Sequence, residues 1–193
     1  MWNPVLRKYK CITGTCCRKM LYHEYTRVHV GFWYDDEKND YKLIRIMCNV
    51  DINELSNQSQ VEVYGLNTSS WRKLDEAKLP GKIRFSHHPA FVDGTFNWIA
   101  RYSHQSGIMD DFILSFDTHS EQFQELQLPK YCEYHQHQED PYLVVYKGCL
   151  AFFVAPNSWC YGCNIWSVWV MNEFGVVESW VKKFNDETEE KAK

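Results

Sequence analysis

Asp35, Asp36, Glu37 and Asp40 fall within six consecutive residues, inside the stretch GFWYDDEKNDYKLIRI (31–46), with aromatic side chains on both sides. Clustered carboxylates can divide the acid and base work of glycoside hydrolysis, or hold a calcium ion. The first chemistry needs two carboxyls at a fixed separation across a sugar, usually supplied by different elements. The second needs a loop of defined spacing with a late bidentate Glu. Neither pattern is met. Other reactive residues are equally incomplete. Cys160 and Cys163 form a CxxC around Tyr161-Gly162, with Cys149 upstream, and His135 and His137 form an HxH with Cys132 nearby. A zinc site needs four ligands, commonly as two knuckle-like pairs; here there is one CxxC, and the adjacent Cys16 and Cys17 chelate one metal poorly. His87-His88 lie in FSHHPA, just ahead of an expected strand. The nucleophile elbow GxSxG, the zinc motif HExxH and the phosphate loop GxxxxGK[ST] are all absent, and Gly81-Lys82 lacks the earlier Gly of a phosphate loop. No catalytic residue, metal ligand or cofactor site is therefore assigned, and the acidic run is read as the tip of a turn.

The elements around these residues are strands. Aromatic residues make up 16% of the 193-residue chain, and such side chains favour pleated, half-buried surfaces. Short apolar runs bounded by Gly, Asn, Asp, Ser and Pro predict strands at 28–34, 41–48, 60–66, 71–74, 90–92, 95–101, 112–116, 122–127, 142–146, 149–154, 165–171 and 179–184. In 95–101 and 112–116 both alternating sets are mostly apolar, the pattern of a strand covered on two sides. The net charge of −4 argues against a dedicated nucleic-acid binder, which needs basic surface. No apolar run is long enough to span a bilayer. The start MWNPVLRKYK has no apolar core of a secretory signal, so reduced thiols and a cytoplasmic or nuclear location are expected.

One spacing recurs. Trp2 and Tyr9, Tyr34 and Tyr41, Tyr64 and Trp71, and Phe116 and Phe123 each stand seven apart, with mostly polar or turn-forming residues between. Two aromatics facing each other across an antiparallel pair leave six residues for the hairpin end. A longer period of 54 aligns FVDGTFNWIA (91–100) with VYKGCLAFFV (145–154), matching Gly94 with Gly148 and Trp98 with Phe152. Asp93-Gly94 and Lys147-Gly148 then become turn residues with positive φ. A unit of about 50 residues holding four short strands is the signature of a β-propeller blade. The expected fold is all-β: an incomplete β-propeller-like, kelch-related arc of three to four blades over residues 1–184. Its first blade is the hairpin around Trp2–Tyr9, the others span 28–74, 90–127 and 142–184, and a charged, disordered tail follows at 185–193.

Six phrases now stand in order: WNPVLRKYK (2–10), GFWYDDEKNDYKLIRI (31–46), VEVYGLNTSSWRKL (61–74), FVDGTFNWIA (91–100), ILSFDTHSEQFQELQLP (113–129) and IWSVWVMNEFGVVESWVKKF (165–184), with GCLAFF (148–153) between the last two. In order and wording they resemble the plant F-box-associated domain, the kelch-related, propeller-like region that follows the F-box in a large family of plant F-box proteins. The self-incompatibility F-box proteins, which recognise pollen-rejecting ribonucleases, share these phrases. Two features depart from the pattern: Trp33 stands where the family has Gly, and the Gly-Gly doublets of ordinary kelch repeats are missing.

The resemblance implies a substrate-recognition module of an SCF-type ubiquitin ligase, not an enzyme: the domain holds the protein to be ubiquitinated while other subunits transfer ubiquitin. Its Skp adaptor and cullin are reached only through an F-box, which is expected to be missing from this chain, as are the final blades. The competing readings are a propeller scaffold with no ligase role and a propeller glycan hydrolase. Contacts to a protein partner are expected on the connections 11–27, 49–59, 81–89, 102–111, 130–141 and 155–164, with Tyr131, Tyr134, Trp159 and Tyr161 as anchors; no binding residue is assigned. An open arc also leaves faces and strand edges unpaired, so self-association is expected.

Overall fold

The computed structural model describes residues 2–3, 7–15, 26–49, 59–74, 79, 83–85, 88–102, 111–129, 141–154 and 165–187. They fall in two compact units, Met1–Glu76 and Ala77–Lys193. The first unit opens with a two-stranded hairpin, β1 (Trp2–Asn3) and β2 (Lys8–Tyr9). A four-stranded antiparallel meander follows: β3 (Thr26–Asp35), β4 (Asp40–Asn49), β5 (Gln60–Gly65) and β6 (Ser70–Lys73), hydrogen-bonded in chain order. Register decides which residues share a face. Trp33 stands opposite Lys42, Ile44 opposite Gly31 and Val63, and Ile46 opposite Val61. That face carries Ile44, Ile46, Cys48, Val61 and Val63, all buried. Trp33 is accommodated there, 5% exposed, with the Lys42 ammonium 5.8 Å from its ring centre.

The second unit holds two sheets. The first contains β7 (Ile83–Phe85), β8 (Ala90–Val92), β9 (Thr95–Tyr102), β10 (Asp111–Asp117) and β11 (Phe123–Leu126). The eight-residue β9 is long enough to pair with two three-residue strands end to end, β8 against Thr95–Asn97 and β7 against Ala100–Tyr102. Thr95 Oγ1 donates to Val92 O at 2.7 Å, and Asn97 Nδ2 donates to Thr95 Oγ1 at 3.0 Å, which fixes the β8–β9 turn. The second sheet is β12 (Tyr142–Tyr146), β13 (Cys149–Val154), β14 (Ile165–Met171) and β15 (Trp180–Glu187), again in chain order. A 3-10 turn at Val177–Ser179 leads into β15. Ile99, Ile113 and Leu126 of one sheet and Leu143, Leu150, Phe152, Met171 and Trp180 of the other form one core. Trp180 Nε1 donates across to Gln127 O at 3.2 Å.

The seven-residue frame is real at every position. Trp2 faces Tyr9, Tyr34 faces Tyr41, Tyr64 faces Trp71 and Phe116 faces Phe123, each as a register pair. Ring centres lie 5.0, 5.3 and 4.9 Å apart in the last three; such facing pairs contribute roughly 0.2–1 kcal/mol each relative to Ala–Ala. The backbone repeats too. The residue two before each second aromatic is left-handed: Arg7 (φ 52°), Asn39 (φ 47°), Ser69 (φ 49°) and Glu121 (φ 56°). The 54-residue repeat holds likewise, with Asp93 and Gly94 at φ 47° and 70° and Lys147 and Gly148 at 51° and 81°. Two consecutive positive φ values are what a two-residue hairpin turn requires.

Some expected boundaries move. β7 lies inside 81–89, a stretch expected to be connection; three residues without alternation give no strand signal, and β9 supplies the pairing edge. Thr26, Arg27, Asn49, Tyr102 and Asp111, placed in connections, belong to strands. β15 continues to Glu187 because Asn185, Asp186 and Glu187 pair with Ser167, Trp166 and Ile165; residues 188–193 lie outside the described residues. Two outcomes test this account. Replacing Phe152, 1% exposed, with Ala is expected to cost about 3–5 kcal/mol in urea unfolding, against under about 1 kcal/mol for the half-exposed Phe91. Glu121→Gly is expected to raise stability by about 0.5–1 kcal/mol, because a left-handed residue without a side chain carries no steric penalty.

Candidate protein-binding surface

Three of the four acidic side chains, Asp35, Asp36 and Asp40, build turns, and Glu37 lends its backbone N–H. Asp35 and Asp40 are a register pair closing the β3–β4 hairpin, with 36–39 as the turn. Asp35 Oδ1 accepts from Lys38 N at 3.0 Å and Asp36 Oδ1 from Glu37 N at 3.1 Å. Asp35 Oδ2 lies 2.6 Å from Nζ of the buried Lys42 and 3.7 Å from Nζ of Lys38. Burial pushes the Asp35 carboxyl up, but the Lys42 hydrogen bond, the Lys38 backbone N–H and both charges outweigh it, leaving it below the ordinary carboxylate range. Asp40, itself buried, accepts from Asn67 N at 2.9 Å, while Asn67 Nδ2 donates to Asn39 O at 3.1 Å. These bonds tie the β3–β4 tip to the β5–β6 tip. Asp117 plays the same part in its own turn. Its Oδ1 accepts from Ser120 N (2.9 Å) and His119 N (2.7 Å), and these bonds hold its carboxyl low.

The other face of the first sheet is divided in two. Over β5 and β6 lies an extended strap, residues 10–15. Lys10 Nζ donates to Ser69 Oγ at 2.8 Å and sits 5.9 Å from the Tyr64 ring centre. Trp71 Nε1 donates to Thr13 O at 3.3 Å, and Arg45 donates to Gly14 O at 3.2 Å. Thr15 Oγ1 donates to both carboxylate oxygens of Glu62 at 2.8 and 2.9 Å. Glu62 is fully buried and ion-paired with Arg45, whose guanidinium stacks 3.8 Å from the Trp71 ring centre. A buried carboxylate persists only when paired and hydrogen-bonded, so Glu62 recruits Arg45 and the strap together.

Over β3 and the start of β4 the same face is open. Val28, Val30, Phe32, Tyr34 and Tyr41 share it by register and are each between 42% and 50% exposed. Phe32 and Tyr41 stack with planes 6° apart and centres 5.6 Å apart, and the Tyr34 hydroxyl donates to Asn39 Oδ1. Rigid aromatics in a contiguous exposed row are the side chains that anchor protein contacts. The sequence signal for this row was the even-numbered alternation in 28–34. It was masked because Trp33, on the opposite face, is aromatic too.

The remaining expected sites lie elsewhere. Cys16, Cys17, Gly81, Lys82, His87, Tyr131, Cys132, Tyr134, His135, His137, Trp159, Cys160, Tyr161, Gly162 and Cys163 fall outside the described residues, as do most of the connections expected to bind. Cys149 ends the β12–β13 turn, half-buried, and His88 is exposed. Cys48 is buried, which pushes its thiol up to about 11 against the Ser59 hydrogen bond that lowers it. Tyr102 is pushed up to about 12 by burial and by its bond to Glu125 Oε1 at 2.7 Å. Among the described residues no three or more His, Cys, Asp or Glu gather as metal ligands, and no helix is long and apolar enough to cross a membrane.

Comparison with known proteins covers the whole chain. The family model described as "F-box associated beta propeller domain" matches residues 1–193. An F-box/kelch-repeat protein of Arabidopsis thaliana is 27% identical over 187 residues, covering 94% of this chain and 46% of the relative. A second Arabidopsis sequence, named as a putative F-box protein, is 29% identical over 187 residues, covering 94% of this chain and 47% of its own length. A third, an Arabidopsis F-box protein, is 29% identical over 182 residues, covering 85% and 41%. The chain thus spans less than half the length of these relatives.

Two outcomes check the site. Glu62→Ala is expected to cost about 3–5 kcal/mol, as removing one partner of a buried ion pair does, and to speed amide exchange at 13–15. Asp35 has a lowered folded-state pKa, so its contribution is present above its unfolded value of about 4 and is lost as pH falls through the folded value. Urea midpoints measured between about pH 6 and pH 2 are expected to fall on the acid side, and to fall less in Asp35→Asn.

Proposed function

Because the chain belongs to the F-box-associated β-propeller family, we propose that it is the substrate-recognition module of an SCF-type ubiquitin ligase and performs no chemistry of its own. The whole-length family match is the observation that carries this reading. It is supported by the names of these relatives, all F-box proteins, and by the fate of Asp35, Asp36 and Asp40, whose carboxylates accept from turn amides, Asp35 also holding Lys42. The physical role is effective concentration: a domain that holds a protein near a charged conjugating enzyme makes transfer to its lysines nearly intramolecular. Adaptor and cullin contacts in such a ligase belong to the F-box and not to these residues. The location is cytoplasmic or nuclear, where those ligase subunits work.

Phe32, Tyr34 and Tyr41 are the described side chains placed to contact the substrate protein. The test joins this chain behind an F-box segment and captures the product from plant cells treated with a proteasome inhibitor. Ubiquitin-bearing partners are expected that the F-box segment alone does not capture. Phe32→Asp with Tyr41→Asp is expected to cut their recovery at least about tenfold, the loss of one or more anchoring aromatics. Partners identical with and without the chain would contradict the reading.

A further inference from the structure

β3 is ten residues long, pairs with β4 without a register break, and has no strand on its other edge among the described residues. Long apolar edges are hazards that proteins usually blunt with short strands, charges, bulges or cover. The other edges follow that rule. β6 has four residues and carries Arg72 and Lys73; β11 has four and carries Glu125. β15 carries Lys182 and Lys183 and meets β14 through a register shift. β12 lies against β8 and β9. Between Arg27 and Asp35, β3 has no Pro, Lys, Arg, Asp or Glu: the run is VHVGFWY.

The sequence of this edge is complementary to itself. Antiparallel pairing of two β3 strands centred on Gly31 places Arg27 opposite Asp35, Val28 opposite Tyr34 and Val30 opposite Phe32. Arg27 is exposed, and at both ends of the pairing it meets the partner copy's β3–β4 tip, which stays net acidic, with Asp35, Asp36, Glu37 and Asp40 against Lys38 and the Lys42 that Asp35 already holds. Because partners keep the same parity, the exposed Val28, Val30, Phe32 and Tyr34 of both copies fall on one face and form a single cross-strand apolar row. The arrangement is two-fold and isologous, so it closes at a dimer and does not propagate. We infer that a second copy of this chain pairs with the β3 edge, in the register that sets Arg27 against Asp35, to make one continuous eight-stranded sheet. This inference does not rest on the proposed function: the β3 backbone edge and its end charges set the pairing, although Phe32 and Tyr34 belong both to its apolar row and to the proposed substrate face.

The test is sedimentation velocity on the purified 193-residue chain over a concentration series, with circular dichroism to confirm folding of each variant. A concentration-dependent dimer is expected. Arg27→Asp, which sets like charges together at two symmetric positions, is expected to weaken it by on the order of tenfold or more, while Arg27→Lys and Val145→Asp, the latter on an exposed site of the other unit, leave it intact. A monomer at all concentrations would overturn the inference. So would a dimer that Arg27→Asp leaves unchanged, or one that Val145→Asp disperses.

Discussion

A pair of aromatic side chains facing each other across an antiparallel hairpin, seven residues apart in the chain, is the contact that the described architecture repeats. It sets where four of the described hairpins end, because the six residues between must close the loop, while the two-residue turns Asp93-Gly94 and Lys147-Gly148 end two others. It also sets how the loop closes, because the residue two before the second aromatic is left-handed in all four cases. Once the hairpin end is fixed, the period of two along each strand decides which residues are buried. In the second unit this delivers Phe152, Leu150 and Met171 of one sheet to Ile99 and Ile113 of the next. In the first it delivers Glu62 to a buried position where Arg45 and the 10–15 strap pair with its carboxylate.

Function follows from what these frames leave over. Side chains that look reactive in the sequence are used to finish turns: Asp35, Asp40 and Asp117 accept backbone N–H groups, and Asp35 also holds Lys42. Side chains that look merely structural are left in water, namely Phe32, Tyr34 and Tyr41. A domain whose acids build hairpins and whose aromatics stand exposed on a rigid sheet is suited to holding another protein. That is the part proposed for this F-box-associated domain.

Most of the strands were legible because their signals are local. The turn residues Gly94 and Gly148, the Tyr34–Tyr41 frame and the phrases around them give the strand ends to within a residue or two. β7 was not legible, since Ile83–Phe85 is a strand only because β9 is long enough to take a second partner. The left-handed positions were only partly legible. Asn39 is a familiar occupant, whereas Arg7, Ser69 and Glu121 carry no such signature and show it only through the shared backbone. The exposed row on β3 was hidden for a different reason. Alternation tells which residues share a face but not which face is covered, and with Trp33 behind it and Phe32 in front both faces read as apolar.

The role proposed for this domain is to select a protein for destruction without catalysing anything itself. Its most direct measurement is the half-life of every detectable protein in plant cells that carry or lack the gene. The account predicts a small set of proteins whose half-lives lengthen when the gene is absent, with the difference abolished by proteasome inhibition. Half-lives that do not depend on the gene, or a dependence that survives proteasome inhibition, would contradict it.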